Sequence, residues 1–195
     1  MEPKAAIRRT AINCIGMPIQ IGATAHHFSN PTGLLSDCHR RIEMFLGALS
    51  SVAETIGQPA TEEVTQALES ALRYFREAAP KHTADEEESL FPRLRQVSDP
   101  ELTFAFSEID RLEEEHRWAD ALHAQVDRLG TKYLAQGMLP GEESVLFRAA
   151  IRDLCSMYER HISLEDKTIF PLASRLLSEE DKTVIASEME ARRRK

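Results

Sequence analysis

Two short motifs in this chain place an imidazole and a carboxylate four residues apart. They are His82-x-x-x-Glu86 and His161-x-x-x-Glu165. Residues i and i+4 of an α-helix lie on the same face, so each motif points a nitrogen ligand and an oxygen ligand into one volume. If both segments are helical, each motif supplies part of a metal site.

The two motifs belong to an internal repeat. The first is followed by Leu90-Phe91-Pro92 and the second, 79 residues later, by Ile169-Phe170-Pro171. Two unpaired histidines, His39 and His116, are separated by a similar 77 residues. The chain is therefore interpreted as two diverged helix hairpins, each with one single histidine and one H-x-x-x-E pair.

The residue types indicate which ions such a site suits. Four imidazoles give two nitrogen donors to each of two ions, and two carboxylates can bridge both ions. Each ion then has four protein donors and keeps a position open for a small molecule. Mixed imidazole and carboxylate ligands suit iron, manganese or zinc, whereas copper(I) prefers sulfur and calcium prefers oxygen. An open position on a redox-capable ion suits dioxygen, peroxide or nitric oxide.

The composition limits the classes of protein that need to be considered. With 195 residues, 42% of them hydrophobic, the chain can bury one sizeable core. The net charge of −8 argues against a nucleic-acid partner. The basic run at residues 192–195 is interpreted as a last helical turn that complements the helix dipole. No segment approaches the roughly 18 to 20 apolar residues of a membrane span, so no membrane partner is expected.

The number and spacing of the cysteines indicate the cellular compartment. The chain has three cysteines, Cys14, Cys38 and Cys155, an odd number with no C-x-x-C pair. A disulfide framework is therefore not indicated, and a reducing, cytoplasmic compartment is expected. Arg8-Arg9 and the mildly apolar residues 10–22 loosely imitate a secretory signal, but polar residues, glycine and proline interrupt the stretch.

The pattern of apolar residues, caps and breakers predicts an all-α protein. Short connections between four long helices favour an up-down-up-down four-helix bundle built from the two hairpins. Pro80 should kink or break the second helix one turn ahead of its ligand pair. The predicted divisions are an irregular N-terminal arm at 1–30 and a bundle domain at 31–195. Within the bundle domain, long helices are predicted at about 31–56, 61–97, 100–135 and 142–177, followed by a short C-terminal helix within 178–195.

The order of these motifs resembles the hemerythrin-like (HHE) cation-binding domain over about residues 31–190. That resemblance implies a four-helix bundle around a non-haem centre of two iron ions, in which both glutamates bridge. The ligands that it implies are His39, His82, Glu86, His116, His161 and Glu165. Oxygen-carrying members have a fifth histidine where this chain has Asp120, and iron-cluster repair relatives usually add an N-terminal domain with a cysteine pair where this chain has only Cys14.

Other residues near the motifs have more than one interpretation. Glu43 and Asp120 follow the single histidines by four residues and could be extra ligands, but hydrogen bonding to the ligands or a solvated face is favoured. Tyr158 faces the same interior as His161 and could serve the site or simply pack in the core. Glu87 is expected to point outward.

The function predicted from these residues is a di-iron protein that binds or reacts with oxygen, peroxide or nitric oxide in a redox or stress response. Two alternatives remain open: iron storage or delivery, and a sensor module whose metal or oxygen occupancy alters docking on a partner. No general acid or substrate pocket can be identified from the sequence, so catalytic turnover and the oligomeric state stay open.

Overall fold

The computed structural model describes residue 27 and residues 29–194, so the predicted N-terminal arm lies almost entirely outside the described residues. The described part contains helices and no strand. None of its helices is both long enough and apolar enough to span a lipid bilayer. The elements are α1 (Pro31–Thr55), α2 (Glu62–Glu77), α3 (Ala79–Ala84), π1 (Asp85–Leu90), α4 (Phe91–Leu94), α5 (Leu102–Gln136), α6 (Gly141–Leu164), π2 (Glu165–Ile169), α7 (Phe170–Leu176) and α8 (Glu179–Arg194).

Local sequence signals set the ends of these helices. Thr61 has an extended backbone and its hydroxyl accepts a hydrogen bond from the amide of Val64, which caps α2. The chain leaves α5 at Gly137, whose φ of 72° lies in the left-handed region that glycine tolerates best. The break expected near Pro80 falls at Ala78, between α2 and α3. Proline at the start of α3 costs no helix hydrogen bond, because the first amides of a helix have no intrahelical partner.

Two π-helical segments were not expected from the sequence. Within π1 and π2 the helix is widened, and each segment begins at or next to a motif glutamate: Glu86 is the second residue of π1 and Glu165 is the first of π2. Both segments end immediately before a Phe-Pro pair that starts a new α-helical turn. Both copies of the sequence repeat therefore contain the same helix irregularity.

Four helices pack side by side around the interior. α1 contacts α2 and α6, and α5 contacts the same two helices. Apolar side chains of these four helices fill one core cluster, which includes Leu49, Leu68, Leu129 and Phe147, all fully buried. A second cluster, around Leu35, Phe91 and Ile109, fills the end of the molecule where α4, α7 and α8 meet.

The C-terminal helix α8 packs on α1, α3 and π1. Ile185 and Met189 have no solvent exposure and belong to the second core cluster. Arg192 binds Asp85 and Glu88, while Arg194 binds Glu190 in its own helix. The interpretation of this basic run as a simple complement to the helix dipole was therefore incomplete, since Arg192 joins α8 to another element.

Replacing Phe91 by alanine tests how far the second cluster stabilises the fold. Phe91 is fully buried, so truncation should leave a cavity and lower the free energy of unfolding by about 3–5 kcal/mol. Phe104, which is 60% exposed, is the matched control, and Phe104→Ala should change it by less than about 0.5 kcal/mol. Urea unfolding followed by circular dichroism measures both, and equal losses for the two variants would contradict the packing described here.

Candidate metal centre

The six side chains singled out by the sequence meet in the interior of the bundle. Each comes from a different element: α1, α3, π1, α5, α6 or π2. None is more than 5% exposed to solvent. The side chains that the structure brings together are His39, His82, Glu86, His116, His161 and Glu165.

The ligand atoms of these side chains form two groups that share a glutamate. One group contains His39, His82, Glu86 and Glu165, and the other contains His116, His161 and Glu165. Glu86 also reaches toward the second group, because its Oε2 lies 3.5 Å from His116 Nε2. Both carboxylates thus lie between the two groups.

The separations between ligand atoms suit metal coordination. Within the first group, His39 Nε2 lies 3.1 Å from Glu165 Oε2, and His82 Nε2 lies 3.3 Å from Glu86 Oε1. In the second group, His161 Nε2 lies 3.3 Å from Glu165 Oε2 and 3.1 Å from His116 Nε2. Two donors that are each about 2.1 Å from one ion lie roughly 3.0–3.4 Å apart when they subtend 90–110°.

Several of these atoms are buried without a hydrogen bond. Both carboxylate oxygens of Glu86 and of Glu165, and Nε2 of His39, have no hydrogen-bond partner among the described residues. Buried carboxylate oxygens are normally satisfied, and leaving one unsatisfied costs free energy. A pair of cations placed among them would satisfy all of these atoms, so the residues present fit a two-metal centre.

The outward nitrogens of three imidazoles have carboxylate partners. His39 Nδ1 lies 2.9 Å from Asp166, His116 Nδ1 lies 2.8 Å from Glu87, and His161 Nδ1 lies 2.9 Å from Glu115. Such partners orient a ligating imidazole and fix which nitrogen carries the proton. The expectation that Glu87 points outward was therefore wrong.

These outer contacts cross between the two hairpins. His39 of the first hairpin binds Asp166, the residue after Glu165, and His116 of the second binds Glu87, the residue after Glu86. The remaining contact breaks this symmetry. Glu115, the residue before His116, contacts His161 Nδ1. The equivalent residue of the first hairpin, before His39, is Cys38, which has no carboxylate. His82 Nδ1 accordingly has no hydrogen-bond partner among the described residues.

Burial and mutual repulsion divide the charges of the centre unequally. Burial, with repulsion from Glu165, raises the pKa of Glu86 well above its ordinary value. Burial also raises the pKa of Glu165, but the neighbouring imidazoles of His161 and His39 outweigh it and hold that pKa well below the ordinary value. Burial, with the charge of His39, lowers the pKa of His82. A centre without metal thus favours one protonated carboxyl beside one ionised carboxylate.

Three residues with open interpretations can now be placed. Glu43 forms an ion pair with Arg40 at 2.9 Å, and Asp120 is exposed, so neither lies among the grouped ligand atoms. Tyr158 is buried near the centre, with its ring 6.0 Å from that of His161, but its hydroxyl lies 3.1 Å from His123 Nε2. His123 is itself half-buried and is stacked on Phe75, with ring centroids 4.4 Å apart.

Comparison with known proteins identifies the family. Residues 30–173 match the Hemerythrin HHE cation binding domain, and the chain belongs to that family. An uncharacterized protein of Haemophilus influenzae (strain ATCC 51907 / DSM 11121 / KW20 / Rd) is 29% identical over 167 residues, which cover 85% of this chain and 91% of that protein. The resemblance drawn from the sequence is thereby confirmed, and a metal-binding function, with iron as the expected ion, follows from the family and the grouped ligands.

The half-buried His123 should titrate far below an ordinary histidine. Burial lowers its pKa to about 4, so protonation favours the unfolded chain, and stability should fall as the pH drops from about 6.5 toward 4. Nuclear magnetic resonance titration of the imidazole, assigned with a His123→Asn variant, measures the midpoint. A midpoint near 6.5 would mean that the ring is solvated, contrary to its packing against Phe75.

Proposed function

We propose that this protein holds a non-haem di-iron centre and binds or reacts with a small oxidant or gas: oxygen, peroxide or nitric oxide. The proposed ligands are His39, His82, Glu86, His116, His161 and Glu165. The observation that carries the proposal is the set of four buried carboxylate oxygens without a hydrogen bond among the described residues, three of which lie 3.1–3.9 Å from imidazole nitrogens. The proposal includes an up-down-up-down order of the four packed helices and a bundle domain at 31–195.

The chain's own residues perform three tasks in this proposal. Glu86 and Glu165 supply the negative charge that holds two cations together in a buried space. Asp166, Glu87 and Glu115 accept hydrogen bonds from the outward Nδ1–H groups, so that each of those imidazoles presents the lone pair of its inward Nε2 to a metal. Apolar side chains around the centre exclude bulk water. When bound, the two irons supply reversible electron transfer and an open coordination position.

A cavity of about 210 Å³ beside the centre supports the entry of a small molecule. It lies between α1 and α6 and reaches Asp166, which hydrogen-bonds to His39, and the buried Tyr158. Arg40, Glu43 and Lys167 line it as well, so its walls are charged as well as apolar. This size suits a diatomic gas or peroxide better than a large organic substrate. A cytoplasmic role in redox or stress response completes the proposal.

Metal content and the ultraviolet–visible spectrum test the proposal directly. Protein produced with ample iron should contain about two irons per chain, as expected of carboxylate-bridged centres in helix bundles, and anaerobically reduced protein should change its spectrum on exposure to air. Zinc or no metal under these conditions, with no spectral change, would overturn the di-iron proposal. Two irons that pass rapidly to a chelator, without a spectral response to oxidants, would favour iron delivery instead.

Replacing Glu86 by glutamine should separate metal binding from folding. The variant keeps the shape of the side chain but loses its charge, so iron affinity should fall at least about tenfold. The metal-free protein should be no less stable to urea, since burial already favours an uncharged side chain at this position. Glu69→Gln, at an exposed glutamate of α2, is the matched control and should keep its iron. Equal iron in both variants would argue against Glu86 as a ligand.

The outer carboxylates should tune iron affinity more weakly. Asp166→Asn removes the charge that orients His39 and should weaken iron binding by about ten- to a hundredfold, measured by competition with a chelator. Asp120→Asn, at an exposed aspartate outside the grouped ligand atoms, should leave the affinity unchanged. If the two variants bind iron equally well, Asp166 does not support the centre.

A further inference from the structure

Helix α8 lies beyond the residues that match the family, which end at 173. It packs on α1, α3 and π1, and these three elements carry His39, His82 and Glu86. Those residues, with Glu165, form one of the two ligand groups. An element outside the matched domain therefore rests against three of the four members of one group.

The contact between α8 and π1 is centred on a buried charge. Asp85 is 0% exposed and immediately precedes Glu86. Arg192 Nη1 donates hydrogen bonds to Asp85 Oδ1 at 3.0 Å and to Ser89 Oγ at 2.9 Å. Arg193 Nη2 lies 2.6 Å from Asp85 Oδ2. Two guanidinium groups thus hold a buried carboxylate next to a proposed ligand.

The same turn of α8 reaches the chain beside a second proposed ligand. Arg193 Nη2 donates to Cys38 Sγ at 3.9 Å, and Cys38 immediately precedes His39. Further along, Arg93, which follows π1, binds Glu188 of α8 through both guanidinium nitrogens at 2.9 and 3.0 Å. The ionic contacts of α8 therefore hold π1 on both sides of its wide turn.

We propose that α8 is a clamp for one of the two metal positions, the one formed by His39, His82, Glu86 and Glu165, and that Arg192 and Arg193 are positioning residues for Glu86. This inference rests on the proposed di-iron function. A π-helical turn departs from the regular α-helical hydrogen-bond pattern, so its ligand depends on neighbouring elements for its position. Without the guanidinium groups, Asp85 is buried and unpaired, and π1 must move to hydrate it.

The test compares a double variant with two controls. Arg192→Ala/Arg193→Ala removes the ion pairs but keeps Ile185 and Met189, so α8 can still dock through its apolar side chains. Arg194→Ala is the matched control, since Arg194 is 74% exposed and its ion pair, with Glu190, lies within α8. Arg192→Lys/Arg193→Lys keeps the charges, so its iron release and hydrogen exchange should stay close to those of the original protein.

Two measurements are made on each variant. The first is the rate at which iron passes to a chelator from the reduced, iron-loaded protein. In the double alanine variant one iron per chain should leave about ten- to a hundredfold faster than the other, whereas both irons of Arg194→Ala should leave at the original rates. The second is hydrogen exchange of the metal-free protein, where amides of residues 85–90 should exchange roughly tenfold faster while those of α5 and α6 keep their protection.

The outcomes distinguish the clamp from the di-iron function. Unchanged iron release and unchanged exchange at 85–90 would overturn the clamp. Equal acceleration of both irons with loss of helical circular dichroism would also overturn it, because α8 would then stabilise the whole fold and not one metal position. If the original protein binds no iron, the proposed function fails, and hydrogen exchange alone decides the clamp: faster exchange confined to 85–90 supports it, and no change there refutes it.

Discussion

The burial of two carboxylates among four imidazoles is the constraint on which the rest of this structure depends. Glu86 and Glu165 are fully buried and lack hydrogen-bond partners among the described residues. Isolated buried charges are costly, so the surrounding groups must compensate for them. The imidazoles do so from inside the centre, the outer carboxylates stabilise those imidazoles in turn, and two arginines balance the neighbouring Asp85. The buried acidic groups thus each have basic neighbours, and bound cations would supply further positive charge at the centre.

The helices are shaped to present these groups. Each H-x-x-x-E motif begins in an α-helix and ends in a π-helical turn, followed by Phe-Pro at the start of a new helix. Proline at that point does not interrupt an established hydrogen-bond pattern, because the wide turn has already shifted it. The buried phenylalanines, Phe91 and Phe170, then anchor the ends of both motifs in the second core cluster. Each wide turn, together with the Phe-Pro pair that follows it, positions one glutamate, and this arrangement occurs in both hairpins.

Much of the centre could be predicted from spacing, because ligands on one helix face follow from helical periodicity. The two H-x-x-x-E pairs, the cap at Thr61 and the break near Pro80 come from local rules, whereas His39 and His116 were added from the internal repeat and the family resemblance. The outer partners could not be found in this way. Which carboxylate meets His39 depends on the rotation of π2 against α1, 127 residues away in sequence, and no local pattern records that rotation. The π-helical turns were missed because the H-x-x-x-E spacing was interpreted with ideal α-helical geometry. The contact between His123 and Tyr158 joins two helices, so no local pattern records it either.

The crossing of contacts between hairpins has a consequence for assembly. Neither hairpin contains both buried carboxylates. The first ligand group takes Glu165 from the second hairpin, and the second group, although its members lie within that hairpin, is reached by Glu86 of the first, which also supplies Glu87, the outer partner of His116. A chain divided in the segment 95–101, between α4 and α5, would yield two fragments that each carry every residue type of the site and yet no finished site. The proposed two-metal centre would therefore be a property of the joined halves, and its two bound metals would report on whether they have met.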